Sequence, residues 1–350
     1  ALKKIFGRSG GRHKMKPAIN STKPVLHIIS RWKFGPNCSP GCVAAETFLR
    51  IAGIPHDIDK SLKPGPTERY PFMEYKGEYV CETNTIVDVL SEDYHFKNDD
   101  NLTDEEKAKA WVILRMLEQG TYFSIVRHRW VDNVKHYGQM LNFPQFPEML
   151  KPTIMNQGRK MMISTLNSQG AGDLTDEEYH QNTMKDLKAM EAMMDDGGYF
   201  FDRLRTPLPT SYEARYYGYL HSLEVFDTTN EAGKWEVVAF IKGSARLQKF
   251  LKRIEAAAFP DMDVITKRLD GNRESWTKSV DEYHLFFFSR CYLTLCVGAQ
   301  VSGHTNISTC NPLSTVSQSN TAAVNRTLEV GVPFGVLLRP LRRSSTRHLF

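Results

Sequence analysis

The chain has 350 residues, 41% hydrophobic and 24% charged, which is ordinary for a soluble globular protein of one large or two smaller domains. The net charge of +5 is unevenly spread, because residues 1–24 carry seven basic side chains and no acid. A nucleic-acid-binding protein usually shows a basic stripe on its folded domain. The middle of this chain is close to neutral and shows no such stripe, so we expect no nucleic-acid partner. Six cysteines are too few and too scattered for a disulfide framework, which favours a cytoplasmic location.

The two ends of the chain differ from its middle. Residues 1–24 are predicted to form a basic disordered arm, without the apolar segment of a secretory signal. The arm leaves two alternatives open, association with the mitochondrial outer membrane and contact with a membrane surface. Residues 281–350 contain no lysine and no helical periodicity, and we expect an irregular or disordered tail there.

Residues 25–95 alternate short apolar runs with amphipathic segments. Lys76-Gly77 separates two β-rich runs and predicts a hairpin. Pro40 after Ser39 is typical of a helix start. The predicted elements are strand Val25–Ser30, a helix after Ser39, strand His56–Lys60, strands Phe72–Tyr75 and Glu78–Cys81, and a helix containing Ile86. The order β-α-β-loop-β-β-α is that of a thioredoxin-like domain.

Residues 102–270 show only helical patterns and are predicted to form an all-helical domain. Three helix starts carry the capping-box sequence, in which a Thr is followed three residues later by a Glu. They lie at Thr103–Glu106, Thr175–Glu178 and Thr210–Glu213. We expect Thr210 and Glu213 to act as a structural helix cap and not as part of a binding site.

Eight segments, in chain order, resemble a known family. They are Asn37–Cys42, Glu46–Pro55, Pro71–Glu78, Leu102–Glu106, Arg115–Glu118, Tyr199–Phe201, Pro209–Ala214 and Phe259–Asp261. Together they are similar to the failed-axon-connections, metaxin-like and cadmium-responsive branch of the glutathione transferase superfamily. The resemblance implies a thioredoxin-like domain followed by the all-α C-terminal domain of glutathione transferases.

The resemblance also implies two alternative functions. The first is a binding or adaptor protein without dithiol redox activity, which would act in stress response or detoxification. The alternative is an active glutathione transferase that conjugates glutathione to small electrophiles. Expected partners are glutathione as ligand or substrate, a protein partner and a second copy in a homodimer. No cofactor is expected, and no metal site, because the histidines lack ligand spacing.

Ser39-Pro-Gly-Cys42 occupies the redox position of a thioredoxin fold. Redox members place a nucleophilic Cys at the helix cap and a second Cys three residues later. Here Ser39 takes the first place, so dithiol exchange is lost. Ser39 could activate the thiol of glutathione by hydrogen bonding, with Cys42 as the alternative catalytic residue. In the other interpretation, Ser39 only caps the helix and Cys42 packs as a small buried side chain.

Two further segments are candidates for binding glutathione. The resemblance implies a cis bond at Tyr70-Pro71, which would expose the Tyr70 backbone to the cysteinyl part of glutathione. Glu82 and Thr83 begin a helix, where an acid and a hydroxyl can hold the γ-glutamyl group. The alternative for Glu82 and Thr83 is a plain helix cap.

Overall fold

The computed structural model describes residues 22–267, except 64, 68, 142–146 and 227–234, together with the backbone of 273–276. The predicted tail and residues 1–21 of the predicted basic arm lie outside these residues. The predicted order β-α-β-loop-β-β-α is confirmed.

A mixed sheet of five strands, in the order β4-β3-β1-β2-β5, forms the first part of the fold. Strand β1 pairs parallel with β2 and antiparallel with β3, and β4 pairs antiparallel with β3. The strands are β1 Val25–His27, β2 His56–Asp59, β3 Phe72–Tyr75, β4 Glu78–Cys81 and β5 Arg273–Trp276.

Strand β5 was not predicted from the sequence. It pairs antiparallel with β2 at the sheet edge, with Trp276 opposite His56 and Arg273 opposite Asp59. Its four residues, Arg-Glu-Ser-Trp, have no apolar alternation, so nothing local marks a strand. The chain therefore returns to the sheet after the helical region has been completed.

Two helices pack with the sheet, α1 Pro40–Ile51 and α2 Thr83–Asp93. Ten of the twelve residues of α1 are buried, which is far more than an amphipathic surface helix buries. One face contributes Phe48 and Leu49 to the core of the sheet. Another contributes Val43 to the core of the helical region. Helix α1 is therefore shared by the two parts of the fold.

The helical region begins with a long helix that contains two π turns. Helix α3 runs directly into the π turn Leu117–Thr121, then into α4, and ends with the π turn His128–Asp132. The region comprises α3 Asp104–Met116, α4 Tyr122–Arg127, α5 Val134–Met140, α6 Lys151–Ser168, α7 Asp176–Ala192, α8 Ser211–Glu224, α9 Glu236–Gly243, α10 Ala245–Ala258 and α11 Met262–Ile265. No helix in the described part of the chain is both long and apolar enough to cross a membrane.

All three predicted capping boxes are present, at the starts of α3, α7 and α8. The box of α8 is the buried one. The Glu213 backbone N–H donates to Thr210 Oγ1 at 3.1 Å, and the Thr210 N–H donates to a Glu213 carboxylate oxygen at 3.0 Å. Arg253 of α10 donates to the other Glu213 oxygen at 2.8 Å. A cap of this kind contributes about 1 kcal/mol to stability, and here it also ties α8 to α10.

A buried ion cluster lies along the second half of α1, at Glu46 and Arg50. Glu46 accepts hydrogen bonds from Arg31 at 2.6 and 2.9 Å and from Arg50 at 2.9 Å. Burial opposes ionisation of Glu46, but the two guanidinium groups lower its pKa to about 2. Arg50 also donates to Asp261 at 2.7 Å, which connects α1 to the end of the helical region.

Two buried histidines are held in the neutral form. His56 in β2 and His221 in α8 are 0% and 4% exposed. Burial, with a smaller contribution from neighbouring arginines, lowers the pKa of both to about 4. An unfolded chain protonates histidine near pH 6.5, so between pH 6.5 and 4 the unfolded state binds more protons than the folded state.

We therefore predict that the free energy of unfolding falls as the pH is lowered from 6.5 to 5. Each of these histidines takes up one proton on unfolding and contributes a slope of about 1.4 kcal/mol per pH unit near pH 5. Urea unfolding at several pH values measures the slope, and His221→Gln reduces it by about 1 kcal/mol per pH unit. A flat profile over this range would contradict the assignment of neutral His56 and His221.

Candidate functional site

Ser39 occupies the N-cap position of α1, and Pro40 is the first helical residue, as the sequence predicted. The Ser39 side chain, however, makes no capping hydrogen bond to the helix backbone. The residue is half-buried. Helix capping therefore does not account for the Ser39 hydroxyl group. The hydroxyl lies within hydrogen-bonding distance of the Cys42 thiol.

Asn37 fixes the conformation of the loop that leads into Ser39. Its side-chain oxygen accepts a hydrogen bond from the Ser39 backbone N–H at 2.9 Å. Its amide donates to the carbonyl groups of Ile29 and Ser30, which follow the end of β1 by two and three residues. This turn is a local signal, since an Asn two residues before a Ser is typical of an Asx turn. The sequence analysis did not use it.

The Cys42 thiol is inside the protein. The residue is 0% exposed, and burial raises the pKa of its thiol to about 12. A thiolate, not a thiol, is the nucleophile in cysteine chemistry. Cys38 is also buried, and burial raises the pKa of its thiol as well. The half-buried Ser39 is thus the more accessible of the two predicted catalytic candidates.

The Tyr70-Pro71 peptide bond is cis, as expected. Tyr70 is half-buried, and its phenol donates to the Lys63 carbonyl at 2.8 Å. This bond anchors the loop between β2 and β3 to the residue just before the third strand.

Glu82 and Thr83 lie at the start of α2, as predicted, but neither acts as a side-chain cap. Glu82 is in the N-cap position with φ 72°, and its side chain makes no capping bond. It is exposed, and its carboxylate forms no ion pair with any described residue. Thr83 is the first helical residue, and its hydroxyl donates to the Gly41 carbonyl at 3.2 Å.

Gly41 brings the three predicted segments together. A β-carbon at this position would lie 2.9 Å from Thr83 Oγ1 and 3.2 Å from Pro71 Cδ. Gly41 is in the first turn of α1, two residues after Ser39. The Ser39 loop, the cis-proline and the start of α2 therefore meet at one point. The absence of a side chain at Gly41 is what permits this approach.

The start of α2 is also tied to the helical region. Asn84 accepts a hydrogen bond from Arg215 of α8 at 3.0 Å and donates to Glu118 of the first π turn at 2.7 Å. Arg215 is held in turn by the Ser211 hydroxyl at 3.0 Å. The two hydrogen bonds of Asn84 could not be predicted from the sequence, because they join residues more than 30 positions apart.

Two residues of the helical region reach toward the site and were missed in the sequence analysis. Arg129, in the second π turn, donates to the Cys38 carbonyl at 2.5 Å. Tyr122, at the start of α4, has the pKa of its phenol raised by burial, and the Glu82 carboxylate raises it further. Neither residue could be recognised from the sequence, because both lie in an ordinary helical pattern and approach the site only in the folded protein.

The family description "Glutathione S-transferase N-terminal domain" matches residues 40–135 of the chain. Failed axon connections of Drosophila melanogaster is 26% identical over 268 residues, which cover 72% of this chain and 62% of that protein. Residues 40–135 therefore form an N-terminal domain of the glutathione transferase type. The chain is a glutathione-transferase-fold protein of the failed-axon-connections type.

Two proteins named as glutathione transferases are also similar to the chain. Isoprene-epoxide–glutathione S-transferase of Rhodococcus is 22% identical over 229 residues, which cover 63% of this chain and 92% of that enzyme. A glutathione transferase from Phanerochaete chrysosporium aligns in structure with a TM-score of 0.46 and 12% identity, covering 69% of this chain and 99% of that one. The superfamily match includes Pro71, Glu82 and Thr83 and begins one residue after Ser39.

The position of Ser39 depends on a close contact between α1 and α8. A β-carbon at Gly218 would lie 2.5 Å from the Pro40 carbonyl oxygen and 2.8 Å from the Ala44 β-carbon. Gly218→Ala is therefore expected to push the helices apart and to lower the free energy of unfolding by about 1–3 kcal/mol. Helix propensity alone would predict a gain of about 0.5–1 kcal/mol.

Gly243→Ala is the matched control for this prediction. Gly243 is the last residue of α9, and no atom lies within 4 Å of an added β-carbon. Chemical denaturation should show it within about 0.5 kcal/mol of the wild type. A stabilising effect of Gly218→Ala would contradict the close contact.

Proposed function

We propose that the protein binds glutathione at the point where Ser39, Pro71 and Thr83 meet, and that it acts by binding without dithiol redox activity. The observation that carries the proposal is the contact of Gly41 with both Thr83 and Pro71. Thioredoxin-type folds use these segments together, and the resemblance assigns them to one tripeptide ligand.

The γ-glutamyl end of glutathione would lie at the start of α2. A helix N-terminus presents unpaired backbone N–H groups and a positive dipole end, which attract a carboxylate. The exposed Glu82 carboxylate can pair with the ammonium group of the same residue. The Thr83 hydroxyl, which donates to the Gly41 carbonyl in the structure, would turn its hydrogen from that carbonyl to the ligand carboxylate on binding.

The middle of the ligand would lie along the Tyr70 backbone, with its thiol toward Ser39. The cysteines of the chain cannot then exchange disulfides with it in the manner of a C-x-x-C pair. Ser39 stands in the first position, and the Cys42 thiol in the second is buried with a raised pKa. Homodimer formation and a protein partner, both expected from the resemblance, stay predictions.

Binding is tested by titrating glutathione in a calorimeter. The wild type is expected to bind, and Thr83→Ala to weaken binding about tenfold, since one hydrogen bond to a charged group contributes about 1.5 kcal/mol or more. The matched control is Thr85→Ala, an exposed position two residues further along α2, which should bind as the wild type does. No heat of binding at about 1 mM glutathione would reject the proposal.

An active transferase is the second candidate. Two observations favour it: the Ser39 hydroxyl is half-exposed and makes no capping bond, and the similar Rhodococcus protein is named as a transferase for an isoprene epoxide. In this case the Ser39 hydroxyl would donate a hydrogen bond to the glutathione thiolate and lower the pKa of the thiol.

Turnover of a chromogenic electrophile or of a small epoxide decides between the two candidates. If the transferase reading holds, Ser39→Ala lowers kcat/KM by about 10²-fold or more and leaves glutathione affinity within about twofold. Calorimetry on the same variant supplies the control for binding. Turnover that Ser39→Ala does not change would exclude Ser39 as the activating group.

A further inference from the structure

Arg129 is a buried arginine that the proposed binding of glutathione does not use. It lies in the π turn His128–Asp132 and is 2% exposed. Its guanidinium stands over three aromatic rings, 5.5 Å from Trp32, 5.5 Å from Tyr137 and 5.2 Å from Phe226. Single π turns in α-helices are frequent at functional sites.

The charge of Arg129 is not neutralised by a neighbouring acid. Its two terminal nitrogens donate to backbone carbonyl groups, one to Cys38 at 2.5 Å and the other to Ser222. No carboxylate among the described residues forms an ion pair with it, whereas Arg31 and Arg50 both pair with Glu46. Burying a charge without a counter-charge is costly. Because no neighbouring acid offsets the charge, its electric field acts on the groups around it.

The positive charge of Arg129 affects the pKa of two nearby histidines. After burial, Arg129 is the next cause that lowers the pKa of both His128 and His221. Both histidines are thereby disfavoured as second cations beside it. An anion near Arg129 would experience the opposite effect and be stabilised.

Ser39 is half-buried and directly follows the buried Cys38 in the chain. Arg129 holds the Cys38 carbonyl from one side, and Asn37 holds the Ser39 N–H from the other at 2.9 Å. One peptide unit separates the Cys38 carbonyl from Ser39. Bond lengths therefore limit the distance from the guanidinium nitrogen to the Ser39 hydroxyl to about 9 Å. The N-terminus of α1 points to the same place and has the same sign.

We propose that Arg129 is a positioning residue for the Ser39 loop, whose unpaired charge makes the space at Ser39 favourable for an anion, in particular a thiolate. The inference deepens the proposed function, because the thiolate of bound glutathione would be the natural occupant. The electrostatic effect itself requires no glutathione. It can therefore be measured whether or not the protein binds the tripeptide.

The probe is the thiol introduced by Ser39→Cys, kept reduced throughout because it completes a C-x-x-C pair with Cys42. Its pKa is read from the rate of alkylation by iodoacetamide as a function of pH, with the modified peptide quantified by mass spectrometry. Cys38 and Cys42 are buried, and reading the peptide by its site of modification separates the thiols. In the parent Ser39→Cys protein we expect a pKa at least one unit below the ordinary value of about 8.5.

Arg129→Gln and Arg129→Lys are then placed in the Ser39→Cys background. Gln keeps a donor for the Cys38 carbonyl but removes the charge, so the pKa should rise by about one unit. Lys keeps the charge and should hold the pKa near the parent value. A rise with both variants would assign the effect to loop geometry alone and overturn the electrostatic role. No rise with Gln would overturn the proposal altogether.

Arg127→Gln is the matched control. Arg127 is two residues away, stands over the Tyr179 ring at 4.7 Å and donates to the Leu174 carbonyl at 3.0 Å, but it is paired with Asp176. Its replacement should leave the pKa at position 39 unchanged. If Arg129→Gln does not fold, Arg129→Met replaces it, because buried ions are often exchanged for apolar residues of similar volume without loss of stability.

The parent value alone also decides the question. A pKa at or above about 8.5 for the introduced thiol overturns the proposal without any change at Arg129. A lowered pKa that rises with Arg129→Gln, in a protein that gives no heat with glutathione, would support the role of Arg129 and reject the proposed ligand. Binding of glutathione without a lowered pKa would do the reverse.

Discussion

The close approach of α1 and α8 is the constraint on which the arrangement of the molecule depends. Gly218 lies against Pro40 and Ala44, so the first turn of α1 is enclosed by the helical region. The opposite face of α1 packs on the sheet through Phe48 and Leu49. Because one helix serves both cores, the position of Ser39 at its start is set by the whole fold and not by the loop alone.

Polar contacts from distant parts of the chain converge on the same end of α1. Asn37 holds the incoming loop, Thr83 bonds the Gly41 carbonyl, and Arg129 bonds the Cys38 carbonyl. At the opposite end Arg50 bonds Asp261. The proposed site offers a hydroxyl near a positive charge, since Ser39 lies at the start of α1 and Cys42 is buried with a raised pKa. Such a place suits recognition of a thiolate better than exchange of disulfides.

Features with a local cause could be predicted from the sequence. Lys76-Gly77 predicts its hairpin because the two residues can adopt positive φ, and they do so at 50° and 78°. The capping boxes are correct because donor and acceptor are three residues apart. The cis-proline and the start of α2 followed from the family resemblance, and both are present.

Features with a tertiary cause could not be predicted. Strand β5 exists because β2 offers it an edge, and its own residues carry no strand pattern. Ser39 has a cap residue's identity and position, yet its hydroxyl makes no cap bond. Arg129 reads as one more polar residue in a helix until the fold brings Cys38 to it from 91 positions away. Periodicity carries no information about such pairs.

A crystal structure of the protein with glutathione would test the central claim most directly. The account predicts the γ-glutamyl carboxylate at the start of α2 beside Thr83, the ammonium group at Glu82, the cysteinyl backbone along Tyr70 and the sulfur toward Ser39. Glutathione bound elsewhere, or no bound glutathione at about 1 mM, would contradict it.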